Sequence, residues 1–421
     1  MYEIMKIALS KITMNRGVSC LFLGAVFMSI FSCCNNPIED VKKRNILFYI
    51  GAGEYVINDD APAKINQMRL GWQPGYGEMI IYFDKYGEGA YLFRINETKD
   101  ARGYYGLDTI QGPVKENSAD SKVLSRVINK FVIDYQADSY GMIFFSHASG
   151  WLPEGTLSSP RSLVIDNDRD SGNREMEYYD FAAAIPDKQF DFIIFEACLM
   201  ADVMSMYELR NKADYILASA AEIVRPGFAE TNTYRDEIMN LYDTKSDVKY
   251  ILSGFARSYY DGIISKYPEN HVDCSATLSV VKMDEMENLA SVTRAIFKGK
   301  SFDEADLLVD IDSIQTYDRS SHSTFGRQRY CRYFDFTHAV ERLVFDADYK
   351  PFYDQMDKTV VWKASTKRFL LGDYISGAPY YSEYYGFFIK RHSGLTTYIK
   401  QIALPETNSA YEKSSWYKAI N

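Results

Sequence analysis

Short apolar runs alternate with stretches of helical periodicity along most of the chain. Apolar runs of five or six residues between polar stretches are typical of buried strands. We predict six such strands in the first half of the chain, at residues 45–50, 79–83, 90–95, 141–146, 190–195 and 214–219. Helical patterns cover residues 61–70, 121–135, 177–185 and 199–210, and one or two further helices are expected over 234–263. This alternation indicates an α/β protein with a mostly parallel central sheet.

The pattern partly repeats after Cys274. ATLSVVKM (276–283) predicts a strand, the next fourteen residues (284–297) predict a helix, and a tyrosine-rich tail over 373–400 has β character. We therefore divide the folded part of the chain into a core over 45–274 and a C-terminal α+β subdomain over 275–421 that completes it.

The first 44 residues differ from the rest in composition. Basic residues precede an uncharged run from Val18 to Phe31, which is too short to cross a bilayer comfortably but is typical of a signal-peptide core. The run leads into Ser32-Cys33, which resembles the lipidation site of a bacterial lipoprotein. We predict a signal peptide over 1–32, lipidation of Cys33 and a polar tether over 33–44, and hence a lipid-anchored protein of the cell envelope, periplasmic or cell-surface. Ordinary secretion and a short membrane anchor are the alternatives.

Charge and cysteine content narrow the class of protein. The formal net charge is −10, so the chain has no global positive field to attract nucleic acid. The six cysteines are not arranged in CxxC pairs or in a regular disulfide framework. Each cysteine therefore needs its own explanation.

Two of the predicted strands end close to reactive side chains. The strand over 141–146 leads into His147, and the strand over 190–195 leads into Cys198. Catalytic groups collect at the carboxyl ends of parallel strands, and an imidazole beside a thiol can accept or stabilise its proton. If the two strands are neighbours, the two residues form a nucleophile–base dyad. The alternatives are an inert core cysteine and a structural histidine.

The segments that carry these residues, SHASGW (146–151) and FEACLM (195–200), resemble the motifs of the clostripain family of cysteine peptidases. Further stretches are similar to that family, namely NILFYIGAGEY, DYILASAAEIVRPGF and SGLTTYI. The resemblance implies a caspase-like three-layer α/β sandwich and cleavage of peptide bonds after Arg or Lys. It implies Cys198 as nucleophile and His147 as general acid/base, with an oxyanion held by the backbone amides of Ala148 and Cys198. No third catalytic residue and no cofactor are required.

Two positions depart from the family pattern. Ala148 stands where the family usually has glycine, so catalysis requires that its backbone avoid positive φ. Glu196 stands where the family has an aspartate that pairs with the basic side chain of the substrate. Because residues two apart on a strand share a face, we expect Glu196 and Cys198 to point into the same cleft. A solvated or capping carboxylate is the alternative.

The long connection between the two motifs carries two further hypotheses. Arg161, Arg169 and Arg174 lie in Ser/Gly/Asn/Asp-rich surroundings and are candidate sites of self-cleavage, Arg161 first, which would leave two associated chains. The other is a calcium site, because oxygen ligands have a suitable spacing at Asp166, Asp168, Asp170 and Glu177. A solvated acidic loop is the alternative explanation of those four residues.

The sequence thus predicts a cysteine endopeptidase acting on protein or peptide substrates, most simply as a monomer. The competing hypothesis is a non-catalytic surface lipoprotein that keeps the caspase-like fold and binds peptide or glycan.

Overall fold

A nine-stranded mixed sheet forms the centre of the protein in a computed structural model. The structure describes residues 42–421 except 54, 155, 157–162, 165–174, 301, 308, 319–329 and 371–385. The predicted signal peptide and Cys33 lie outside this part of the chain. From Lys43 onward the described residues form one compact unit, and none of their helices combines the length and apolar character needed to span a bilayer.

The strands are numbered in the order in which they occur along the chain. They are β1 (Arg44–Ala52), β2 (Met79–Lys85), β3 (Gly89–Lys99), β4 (Tyr105–Val114), β5 (Ser139–Phe145), β6 (Phe190–Glu196), β7 (Ala213–Ala218), β8 (Thr277–Lys282), β9 (Phe334–Asp335), β10 (Val360–Ser365), β11 (Arg368–Leu370), β12 (Gly386–Phe388) and β13 (Thr396–Thr397). The main sheet has the order β10-β8-β7-β6-β5-β1-β2-β3-β4, and two small sheets pair β11 with β12 and β9 with β13.

The centre of the main sheet is parallel and its two edges are antiparallel. Strands β2, β1, β5, β6 and β7 run parallel to one another, whereas β3 and β4 on one side and β8 and β10 on the other pair in antiparallel fashion. The three residues between β2 and β3 allow only a hairpin, because a parallel connection needs a crossover of a dozen or more residues. The mostly parallel sheet predicted from the sequence is thus correct for the centre, and the whole sheet is mixed.

The helices cover both faces of this sheet. In chain order they are α1 (Tyr55–Gly71), α2 (Ser121–Asp134), α3 (Tyr178–Ala184), α4 (Val203–Leu209), α5 (Thr233–Glu237), α6 (Val248–Lys266), α7 (Met286–Phe297), α8 (Phe336–Leu343), α9 (Lys350–Thr359), α10 (Pro405–Lys413) and α11 (Ser415–Ile420). Alternate residues of β1 enter two separate cores: Leu47 and Tyr49 pack with α2, α3 and α4, while Ile46 and Phe48 pack with α1 and α6. The three-layer sandwich expected from the sequence is confirmed.

The C-terminal part of the chain extends the same sheet. Strand β8 lies beside β7 and β10 lies beside β8, although both come from the predicted C-terminal subdomain. The last strand, β13, pairs with β9, and Trp416 of α11 is buried in the core that contains α4. The predicted β tail over 373–400 lies partly outside the described residues, and its described part contains β12 and β13.

Candidate active site

The register of the sheet places the strand ends that carry His147 and Cys198 beside each other. Strands β5 and β6 are adjacent and parallel, and their last paired residues are Phe145 and Glu196. His147 and Cys198 each follow two residues later, so they leave the sheet at equivalent positions of neighbouring strands. Both side chains are partly exposed. The strand ends that carry the two motifs are therefore adjacent at the carboxyl edge of the sheet.

The loop that carries His147 is fixed by buried contacts on both sides of the histidine. The Ser146 hydroxyl donates to the Gly51 carbonyl at 2.8 Å, and the Tyr333 hydroxyl donates to the Ser149 carbonyl. Trp151 is buried, with its ring centroid 5.0 Å from that of Tyr398. These contacts fix the position of the loop, and none of them involves the His147 side chain.

The backbone of Ala148 avoids positive φ, as catalysis with alanine at this position requires. Ala148 is buried, and it is absent from the described non-glycine residues with positive φ. Its Cβ therefore does not impose the backbone strain that a left-handed conformation would cause. The amide of Ala148 stays a candidate oxyanion donor.

The loop that carries Cys198 is held by the segment after β7. The Ile223 amide donates to Cys198 Sγ at 3.4 Å, and the Leu199 amide donates to the Ala221 carbonyl at 3.0 Å. Leu199 has φ +61°, a left-handed conformation that non-glycine residues rarely adopt, directly after the nucleophile candidate. Of the described cysteines, Cys198 is the partly exposed one, whereas Cys274 and Cys331 are buried.

Gly150 lets the histidine and cysteine loops approach each other closely. It has φ +55°, and a Cβ added there would lie 2.6 Å from the Leu199 carbonyl oxygen and 2.8 Å from Asp202 Oδ2. One of these neighbours is backbone, so the loops themselves would have to move apart. The tight contact between the two loops therefore depends on glycine at this position.

We expect Gly150→Ala to lower both stability and activity. The matched control is Gly87→Ala, because Gly87 also has positive φ (+74°) but no atom lies within 4 Å of an added Cβ. Because both variants share the cost of a positive φ, the Gly150 variant should lose about 1–3 kcal/mol of unfolding free energy more than the control through steric overlap, as measured by chemical denaturation. Equal losses in the two variants would show that the loops are not in close contact.

Glu196 lies in a buried ion pair. Its Oε1 accepts from Lys64 Nζ at 2.6 Å and from the Phe228 amide at 2.7 Å, and its Oε2 accepts from the Tyr234 hydroxyl. Both side chains of the ion pair are almost fully buried, at 0% and 1% exposure. Burial raises the pKa of Glu196, while the charge of Lys64 and the hydrogen bonds from Tyr234 and Phe228 oppose that rise.

The expectation that Glu196 and Cys198 share a cleft is wrong in this structure. Phe228 and Tyr234 belong to the core that contains α1 and α6, whereas Cys198 packs against the opposite core. The alternation of side chains holds only within a strand, and β6 ends at Glu196, two residues before the cysteine. The solvated alternative is also excluded, because the carboxylate is buried.

Asp202 is a feature of the site that sequence reasoning missed. It is fully buried and caps the N-terminus of α4, with Oδ1 accepting from the Ser205 amide at 2.8 Å. Its Oδ2 has no hydrogen-bond partner within the described part of the chain and faces the position that a Cβ on Gly150 would occupy. Burial raises the pKa of Asp202 to about 7. An aspartate directly before the apolar run VMSMYEL is a helix-start signal that could have identified the cap, but not its burial.

Most of the residues proposed for self-cleavage and for calcium binding lie outside the described part of the chain. This is true of Arg161, Arg169 and Arg174, and of Asp166, Asp168 and Asp170. Glu177 is described, and its Oε1 accepts from the Glu154 amide at 2.8 Å. Among the residues that the structure describes, no group of three or more His, Cys, Asp or Glu residues is placed to hold a metal ion, so the calcium hypothesis has no support.

The fold is that of the caspase-like class, and it presents Cys and His after the ends of adjacent parallel strands, as a cysteine peptidase requires. A family model described as the clostripain family matches residues 53–420, and the chain belongs to this family.

Known proteins agree with this assignment. The chain is 25% identical over 150 residues to clostripain of Hathewaya histolytica. The matched segment covers 32% of this chain and 28% of that protein. It is similar to a secreted C11 cysteine protease of Bacteroides thetaiotaomicron solved with an irreversible peptide inhibitor, with TM-score 0.72, 27% identity and coverage of 90% of this chain and 99% of the other. It is also similar to a C11 protease of Parabacteroides distasonis solved as an inactive zymogen, with TM-score 0.71, 27% identity and coverage of 90% and 98%.

Proposed function

We propose that this protein is a cysteine endopeptidase in which Cys198 is the nucleophile and His147 the general acid/base. The observation that carries the proposal is the register of β5 and β6, which brings the two partly exposed side chains out at equivalent positions of adjacent strands. In the proposed reaction the Cys198 thiolate attacks the carbonyl carbon of the scissile bond. His147 then protonates the leaving amine, and water hydrolyses the resulting thioester to release the acid and restore the thiol.

Backbone amides are the proposed stabilisers of the tetrahedral intermediate. We assign this role to the amides of Ala148 and Cys198, because preorganised N–H groups stabilise negative charge as it develops. The negative-φ backbone of Ala148 and the contacts that fix both loops support this assignment.

We propose protein or peptide substrates cut after Arg or Lys. The family resemblance of the motifs supports cleavage after Arg or Lys, and the peptide inhibitor bound to the secreted C11 protease of Bacteroides thetaiotaomicron supports peptide substrates. The net charge of −10 also favours basic peptides over acidic ones.

Self-activation is part of the proposal. We infer that the enzyme cuts its own chain within residues 152–176, first at Arg161 and otherwise at Arg169 or Arg174. The similarity to a C11 protease solved as an inactive zymogen supports this step. Simultaneous replacement of the three arginines should abolish processing, and processing that persists in that variant would exclude these sites.

The deciding experiment is covalent labelling. The purified protein is treated with an arginyl or lysyl chloromethyl ketone, with and without EDTA, and the modified peptide is identified by mass spectrometry. We expect the adduct on Cys198, independent of EDTA. Cys274 and Cys331 serve as internal controls because both are buried and burial raises the pKa of the Cys274 thiol. Labelling distributed over Cys198, Cys274 and Cys331 alike, without hydrolysis of peptides, would instead favour the non-catalytic binding protein.

A further inference from the structure

We propose that the Lys64–Glu196 ion pair is a clamp that positions Cys198 through the turn at residues 225–228, and that Glu196 is not the partner of the substrate's basic side chain. This inference rests on the proposed peptidase function for its kinetic readout. Its structural basis is independent of that function.

Helix α1 supplies the lysine from its buried face. The buried residues of α1 are Ile57, Ala61, Lys64, Ile65 and Met68. Lys64 thus occupies an apolar stripe, and its Nζ lies 4.2 Å from the centre of the Phe145 ring. A buried cation is tolerated only when it is paired and hydrogen-bonded. Lys64 meets this requirement through Glu196 and through the Pro226 carbonyl, to which it donates at 2.5 Å.

The same helix contacts the 225–228 turn at two consecutive residues. Lys64 holds the Pro226 carbonyl, and one turn earlier on α1 the Asp60 carboxylate accepts two hydrogen bonds of 2.8 Å from Arg225. Glu196 holds the other end of the turn by accepting from the Phe228 amide. The turn is therefore tied to α1 and to the end of β6 at once.

This turn continues the segment that reaches the nucleophile. Ile223, two residues before Arg225, donates its amide to Cys198 Sγ at 3.4 Å. Upstream, the Ser219 and Ala221 carbonyls accept from the Ala201 and Leu199 amides at 2.9 and 3.0 Å. The segment over 219–228 is thus anchored on both sides of Ile223, and the clamp is its downstream anchor.

The packing around the Glu196 carboxylate also prevents a substrate side chain from reaching it. Gly227 has φ +67°, and a Cβ added there would lie 2.1 Å from Glu196 Oε1, so backbone packs directly on the carboxylate. The ion pair carries no net charge, and the Lys64 ammonium beside it would repel a second cation. A basic substrate side chain would have to displace Lys64 from a fully buried position to reach Glu196.

The test uses the full chain with Lys64→Met, Glu196→Gln and the double variant. Each is assayed on two pairs of peptides that differ only in charge at the residue before the scissile bond, arginine against citrulline and lysine against norleucine. The rate of Cys198 alkylation by iodoacetamide is measured in parallel and needs no peptidase activity. The control is Lys130→Met, which removes a surface ion pair of α2, Lys130–Asp134 at 2.5 Å.

We expect each single variant to lower kcat by about 10- to 100-fold, because a displacement of about 1 Å at a reacting group has this effect. The fold loss in kcat should be the same for the two peptides of each pair. The rate of Cys198 alkylation by iodoacetamide should also differ from that of the wild type. The double variant should be better folded than Lys64→Met, because it leaves no uncompensated buried charge. Its loss in kcat should also be the same for the two peptides of each pair. Lys130→Met should be unchanged in both readouts.

Two results would overturn the clamp. One is a loss on the arginine and lysine peptides alone in Glu196→Gln, which would mean direct recognition of the substrate. The other is unchanged kcat and unchanged alkylation in folded variants. Failure of the peptidase proposal would be recognised separately, by a wild type that hydrolyses no peptide or by hydrolysis that persists in Cys198→Ala. In either case the alkylation rates would still report on the clamp.

Discussion

Cys198→Ala is expected to lower kcat for peptide hydrolysis by about 10⁴-fold or more, the scale seen when a catalytic nucleophile is removed. The reason is chemical: alanine leaves His147 and the backbone amides in place but removes the atom that forms the thioester. The substitution removes one atom from a partly exposed position, so the unfolding free energy should change little. Initial rates on arginine- and lysine-terminated fluorogenic peptides, with circular dichroism as the check on folding, measure the effect.

Cys274→Ala is the matched control, because it makes the same change at a buried cysteine away from the motifs. It should keep its activity. The same preparations report on self-processing: wild-type protein should yield two fragments on a denaturing gel, and Cys198→Ala should remain a single chain. Comparable activity of Cys198→Ala and wild type would remove Cys198 from the mechanism.

The second large effect concerns the buried carboxyl of Asp202. Its pKa lies at about 7 in the folded protein, against an ordinary value of 3.8, because burial disfavours the charge. Between these two values the folded state holds a proton that the unfolded chain releases, so stability falls as the pH rises from about 4 to about 7. Since one pKa unit corresponds to about 1.4 kcal/mol, ionisation above pH 7 costs the folded state about 4 kcal/mol.

Asp202→Asn should remove this pH dependence. Asparagine keeps the cap that accepts from the Ser205 amide and is neutral at every pH. We therefore expect the variant to resemble wild type near pH 4 and to exceed it by up to about 4 kcal/mol at pH 8. Urea unfolding of both proteins at the two pH values measures this, since the other titrating groups are common to both.

Asp120→Asn is the control for that experiment. Asp120 caps α2 at the surface, accepting from the Lys122 amide at 2.9 Å, so the substitution is the same but the burial is not. Its stability relative to wild type should vary less between pH 4 and pH 8 than that of Asp202→Asn. If the two variants behave alike, the buried carboxyl does not titrate as described.

Five of the six predicted strands, β1, β2, β5, β6 and β7, were found because each is an apolar run at the parallel centre of a sheet covered on both faces. The sixth, β3, lies beside the edge strand β4, and the buried positions of its first half supply its apolar pattern. Strand β4 (Tyr105–Val114) was missed for the opposite reason. It is an edge strand, half exposed and interrupted by Gly106, Gly112 and Pro113, so it lacks a strand-like pattern.

At the candidate site the sequence placed His147 and Cys198 just after the ends of two strands, because each follows closely on an apolar run. It did not locate the partner of Glu196. A lysine inside the apolar stripe of α1 is visible in the sequence, but its pairing with a residue 132 positions away depends on how the helix packs on the sheet. The buried state of Asp202 likewise arises from the packing of loops that are distant in sequence.

The position of the 152–176 connection determines what the proposed self-cleavage would produce. Strands β1 to β5 precede the connection and β6 to β10 follow it, yet β5 and β6 are hydrogen-bonded neighbours from Gly141–Phe145 to Phe192–Glu196. A cut would therefore produce a heterodimer whose subunit interface is the middle of the sheet. One polypeptide would contribute His147 and the other Cys198, so neither fragment could act alone and activity would follow the one-to-one complex of the two.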